Sequence, residues 1–147
     1  MWYRVFLPTT AEPVPAALAE FLHARGFAVE PHFKGDAHGW TEGELRRPTG
    51  SPVLLARYLT KEDDLRDDLN AHAAELETMD HSPHSAGLME RVIQTKQLIT
   101  LRKPADATDD ALPDDVCRFL ATSADGVYQV DSRGWFAADG ELLIHEH

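Results

Sequence analysis

Residues 27–59 read FAVEPHFKGDAHGWTEGELRRPTGSPVLLARYL, and the alternation inside this stretch sets the fold class. Phe27, Val29, Pro31 and Phe33 alternate with Ala28, Glu30, His32 and Lys34, the period-two pattern of a half-buried strand. Pro31 has no amide hydrogen to give to a ladder, which places that strand at a sheet edge. Gly35-Asp36-Ala37-His38-Gly39 has turn chemistry and leads into a polar strand from about Trp40 to Arg46. Pro48-Thr49-Gly50-Ser51-Pro52 makes a second turn before the strand Val53 to Leu59. Strands joined in succession by short turns pair antiparallel.

Working towards the N-terminus, Trp2 to Leu7 reads as a strand stopped by Pro8. Val14, Leu18, Phe21 and Leu22 then recur at helical spacing, with Pro13 and Pro15 at the entry and Gly26 suited to the C-terminal cap. In the other direction, Thr60 with Asp63 resembles a capping box. It opens a helix over about 62–79, with Glu62, Asp63 and Asp64 in a first turn that favours negative charge. Asp80 to His84 breaks that helix, and Ser82 or Ser85 opens another through Leu88, Val92 and Ile93. Leu98 to Leu101 is a short strand, and Asp109 or Asp110 starts a helix carrying Leu112, Val116, Phe119 and Leu120. The tail is a meander of Val127–Val130, Trp135–Phe136 and Leu142–Ile144, turning at Ser132-Arg133-Gly134 and Asp139-Gly140. This order predicts a single α+β domain over residues 1–147, with a mainly antiparallel sheet and about four helices. The opening β-α-β step crosses over right-handed if its strands pair in parallel. Strand order does not follow from the sequence.

Charge narrows the function classes. Fourteen Lys and Arg stand against 25 Asp and Glu, a formal net charge of -11 that repels phosphate backbones and anionic lipid. A nucleic-acid or membrane role is therefore not expected, and a basic protein partner is. The sole cysteine, Cys117, sits beside Val116 and near Phe119, the setting of a thiol packed as a small hydrophobe. The start Met1-Trp2-Tyr3-Arg4 lacks the features of a secretory signal, and no apolar run reaches membrane-spanning length, so the expected compartment is the cytoplasm.

One position breaks the local pattern. Leu65, Leu69, Leu76 and Met79 form an apolar helical stripe, and His72 falls within it. A buried imidazole without partners costs about 1–3 kcal/mol, so a core histidine needs a carboxylate, a carbonyl or a metal. Asp68 and Glu75 lie at i−4 and i+3 from His72. Five of the eight histidines fall between His32 and His84, among them His38, His81 and His84. Together with His72 these three supply the nitrogen donors of a zinc site, and the same donors suit copper or nickel. In a catalytic reading, His72 with Asp68 or Glu75 forms the oriented base of a histidine-dependent hydrolase, although Ser82, Ser85 and Ser123 lie in no nucleophile motif. Trp2, Trp40 and Trp135 are expected in the core. Asp131 and Asp139 are expected to bond their local backbone in turns.

Two stretches carry a resemblance. Met89-Glu90-Arg91-Val92-Ile93-Gln94-Thr95-Lys96, and Gly126-Val127-Tyr128-Gln129-Val130-Asp131 followed by Gly134-Trp135-Phe136, resemble small bacterial proteins of unassigned function. The tail is also similar to the ends of immunity-type proteins that neutralise toxins. That likeness implies a binding role, the inhibition of a basic partner such as a toxic nuclease, and it transfers no site residue. The expectations are thus a metal-binding protein centred on His72, an interaction module for a basic partner, and a hydrolase.

Overall fold

The computed structural model describes residues 1–59, 63–78, 84–107 and 109–145, and it describes no side chains at 63–65, 77 and 78. The described elements are β1 (Trp2–Leu7), α1 (Pro15–Ala24), β2 (Glu30–Asp36), β3 (Gly39–Arg46), β4 (Val53–Leu59), α2 (Asp63–Thr78), α3 (Ser85–Ile93), β5 (Gln97–Arg102), α4 (Ala111–Ser123), β6 (Val127–Val130), β7 (Gly134–Ala137) and β8 (Leu142–His145). All eight strands join one antiparallel sheet in the order β2-β3-β4-β5-β1-β6-β7-β8. The fold is α+β, as the alternation and the tight turns require.

β2 lies at an edge, where Pro31 needs no ladder partner on its outer side. The strand starts at Glu30 rather than Phe27, and Phe27 instead packs on the core from the loop after α1. β1 and β2 are not neighbours, so the opening β-α-β step forms no parallel pair. β1 lies between β5 and β6, antiparallel to both. The predicted capping residue Thr60 lies outside the described residues, as do Met79, Asp80, His81, Ser82 and Pro83.

Alternation along the strands sends side chains to two faces. One face carries Tyr3, Val5, Leu55, Ile99, Leu101, Tyr128 and Val130 beneath α1 and α4, which contribute Leu18 and Leu22 and then Val116, Cys117 and Leu120. The opposite face carries Phe6, Leu98, Val127, Trp135 and Ile144 beneath α2 and α3, which contribute Leu69, Ala73, Leu76, Leu88 and Val92. The first layer spans the sheet from β3 to β7. The second covers only the part around β1 and β5 to β8, and the outer rows of β2, β3, β4 and β5 on that face have no roof among the described residues.

A polar frame ties the first layer together. Tyr3, fully buried, donates its hydroxyl to Asp110 Oδ1 at 2.9 Å, and Lys103 pairs with the same oxygen. Arg133 Nη1 reaches Asp114 Oδ1 at 2.8 Å. The Lys103 hydrogen bond holds the Asp110 carboxyl below the usual carboxylate range, while burial pushes the Tyr3 hydroxyl far up. At the other end of the same face, buried Arg57 donates to the carbonyls of Thr10, His38 and Trp40 at 3.1–3.3 Å and to the Gln97 side chain. Gln97 Nε2 continues to the carbonyls of Thr9 and Ala11 at 3.0 Å. This arginine clips the β2–β3 hairpin and the segment before α1 onto the sheet. Gly39 lies between Arg57 and Glu12: a Cβ there would stand 2.8 Å from Nη1 and 2.6 Å from Oε2, and its φ of +114° suits glycine alone.

Candidate functional site

His72 lies beside the buried line of α2. Leu69, Ala73 and Leu76 carry that line at 0, 7 and 1% exposure, while His72 keeps 19% of its side chain exposed. Its ring packs on Phe6 at 5.6 Å between centroids and edge-on to Trp135 at 6.2 Å. Glu75 Oε2 stands 3.8 Å from Nδ1, and Asp68 is exposed. The helix therefore turns the imidazole toward aromatic edges and a carboxylate at its rim. His38 is exposed in the β2–β3 turn, where Asp36 Oδ1 accepts from its backbone N–H at 2.8 Å. That carboxylate braces the turn in the manner of aspartate after a strand. His84 is exposed immediately before α3, and His81 lies outside the described residues. Among the described residues, no three His, Cys, Asp or Glu side chains gather as a metal centre would need.

Of the serines of the hydrolase reading, Ser85 and Ser123 lie on α3 and α4, in the two opposite helical layers. Ser123 Oγ donates to the Leu120 carbonyl at 2.6 Å, a helix-end bond, and Ser82 lies outside the described residues. Ser85 Oγ is buried with no hydrogen-bond partner among the described residues. Cys117 is fully buried, and burial pushes its thiol well up. Asp139 braces its turn by accepting from the Glu141 N–H at 2.9 Å. Asp131 works across strands instead, accepting from Arg4 Nη1 at 2.7 Å and from the Trp2 N–H at 3.2 Å. Burial raises its pKa, but the bonds from Arg4 and Trp2 outweigh that and hold the carboxyl below its ordinary range.

Trp40 and Trp135 are buried as expected, and Trp2 is not. It is 42% exposed on the unroofed half-face, together with Leu54 at 41% and Tyr58 at 40%. Strand register aligns the side chains there. His32, Glu44, Leu54, Arg102 and Trp2 form one cross-strand row, and Lys34, Glu42, Ala56, Thr100 and Arg4 form the next. Trp2, Leu54, Tyr58 and Arg102 line a hollow of about 580 Å³, floored by the first row and by the second as far as Thr100. No protein-family model matches the chain, and no curated protein or solved structure is significantly similar to it.

A signal for this surface does exist in the sequence. In Val53-Leu54-Leu55-Ala56-Arg57-Tyr58-Leu59 the even positions are as apolar as the odd ones, so β4 asks for cover on both faces. Among the described residues, only the odd positions receive it.

Among the described residues, no helix is long and apolar enough to cross a membrane.

Proposed function

We propose that this protein is a binding module whose ligand seats on the unroofed half-face of the sheet. The observation that supports this reading is the grouping of three large exposed apolar side chains, Trp2, Leu54 and Tyr58, around a single hollow. Contiguous apolar exposure marks interaction sites, whereas a soluble domain scatters such residues singly. The floor is held firm because β3, β4, β5 and β1 are each paired on both sides in the ladder and backed by the α1–α4 layer, with only β2 at the edge. A rigid platform binds with little loss of conformational freedom.

The zinc, copper or nickel reading and the hydrolase reading rest on the sequence alone. The basic-partner reading has one structural feature in its favour, the exposed Asp67 and Asp68 on the outer side of α2. It predicts docking there rather than in the hollow.

Amide NMR of the full chain, titrated with a fragment collection and separately with zinc, tests these readings together. Shifts are expected to cluster on Trp2, Leu54, Tyr58 and Thr100 with the fragments. Fragment shifts gathered elsewhere, or none at all, would remove the hollow as the binding face. Zinc shifts centred on His72 would restore the metal site.

A further inference from the structure

The charges of the hollow indicate what kind of ligand it takes, an inference that rests on the binding face proposed above. Lys34 Nζ stands 3.1 Å from Glu42 Oε2, and Arg46 Nε stands 3.1 Å from Glu44 Oε2. Each glutamate lining the hollow thus has its own cation. Arg102 has none: its guanidinium lies over the Trp2 ring at 5.7 Å, exposed, and makes no ion pair among the described residues. Three cationic side chains, Lys34, Arg46 and Arg102, line the hollow against two carboxylates, Glu42 and Glu44, a local charge of +1 in a chain of -11. At physiological salt, carboxylates more than about 8 Å away are largely screened, so an occupant responds to the charges of the hollow itself.

We propose that the hollow binds an extended, acidic polypeptide segment, with one carboxylate on Arg102 and apolar side chains on Trp2, Leu54 and Tyr58. Arginine grips a carboxylate through two parallel N–H bonds, and the register places Arg102 between Leu54 and Trp2. Apolar neighbours on both sides strip water from that contact, which strengthens it relative to an open surface pair. Aromatic rings and an arginine on an open sheet also suit a nucleic-acid single strand. A strand, however, brings a phosphate with every nucleotide and draws its affinity from several neutralised phosphates. Among the described residues the hollow offers one cation without an ion pair, and it presents Glu42 and Glu44 to the rest.

A random-peptide display library selected on the immobilised full chain, with Arg102→Glu and Leu54→Lys chains selected in parallel, tests the proposal. The enriched peptides are expected to carry an excess of Asp and Glu around aromatic or aliphatic residues. They should bind Arg102→Glu at least about tenfold more weakly, a change typical of losing one partner of a desolvated charge pair. Both variants should keep the parent's unfolding curve, because each changes an exposed side chain. No enrichment, enrichment of basic peptides, or the same peptides at the same affinity on Arg102→Glu overturns the proposal. Neutral peptides that fail on Leu54→Lys overturn the charge assignment and leave the hollow as the binding face. Peptides indifferent to Leu54→Lys overturn both. Tighter binding of oligothymidylate than of the selected peptides assigns the face to a single strand, and a dimer dispersed by Leu54→Lys assigns it to a second copy. Either result also overturns the proposal.

Discussion

Arg57 is 6% exposed and satisfies its guanidinium on carbonyl oxygens and an amide, with no ion pair among the described residues. A cation so placed is tolerable only because its acceptors are fixed around it. Removing it strands three backbone carbonyls and the Gln97 side chain, so Arg57→Ala is expected to destabilise the fold by about 3 kcal/mol, with Arg57→Lys recovering only part. Urea unfolding of the two variants measures this. Asp110 supports a second prediction at this scale. Its folded pKa is depressed first by the Lys103 hydrogen bond, with the Tyr3 hydroxyl adding to it. Its contribution is therefore full above the unfolded carboxylate pKa and fades as the pH falls through the lower folded value. Asp110→Asn should flatten the acid limb of a stability-against-pH curve while lowering stability at neutral pH; an unchanged acid limb would count against the linkage. These two residues differ in how visible they are beforehand. An arginine inside an apolar strand is a plain anomaly in the sequence, whereas the Tyr3–Asp110 bond joins residues 107 positions apart and exists only once the chain is folded.

Among the elements, α2 shows how a correct helix can still mislead about its face. The expected stripe runs through Leu65, Leu69, His72, Leu76 and Met79, yet the buried line on the described side chains is Leu69, Ala73 and Leu76. Alanine is too small to stand out in a hydrophobic pattern, yet Ala73 holds the buried line and His72 falls to its flank. Leu76→Ala should leave a cavity against the second face and cost about 3 kcal/mol in denaturant unfolding. The β2–β3 hairpin has a tighter requirement. A Cβ on Gly43 would lie 2.4 Å from the Phe33 ring, which itself packs edge-on to Trp40 at 4.9 Å. Gly43→Ala should displace that ring and destabilise by about 1 kcal/mol, in the range of overpacked sites, with a loss of near-ultraviolet circular dichroism from Trp40 reporting the shift.

Across the whole molecule, two helical layers of unequal reach sit on one sheet. α1 and α4 cover the first face from β3 to β7, while α2 and α3 leave the outer rows of β2 to β5 open. That asymmetry creates the hollow and predicts a separation of stability from binding. Leu54→Lys should change the unfolding free energy by less than about 0.5 kcal/mol, as exposed substitutions do, while abolishing ligand contacts on this face. A large loss of stability would mean that Leu54 belongs to the core and that no open face exists.

The sequence by itself determined the elements, because period-two and helical spacings, prolines and glycines act over a few residues. It also determined the antiparallel class, the edge position of β2 and the burial of Cys117. Only the tertiary structure decided where β1 lies, which half of the second face stays bare, and that Trp2, Leu54, Tyr58 and Arg102 meet there. Those outcomes depend on strand register and helix placement, which bring together residues up to 127 positions apart. The same holds for His38 and His72: their residue types were plain from the start, but a turn on one hairpin and a helix on the sheet's far layer set each in its own surroundings.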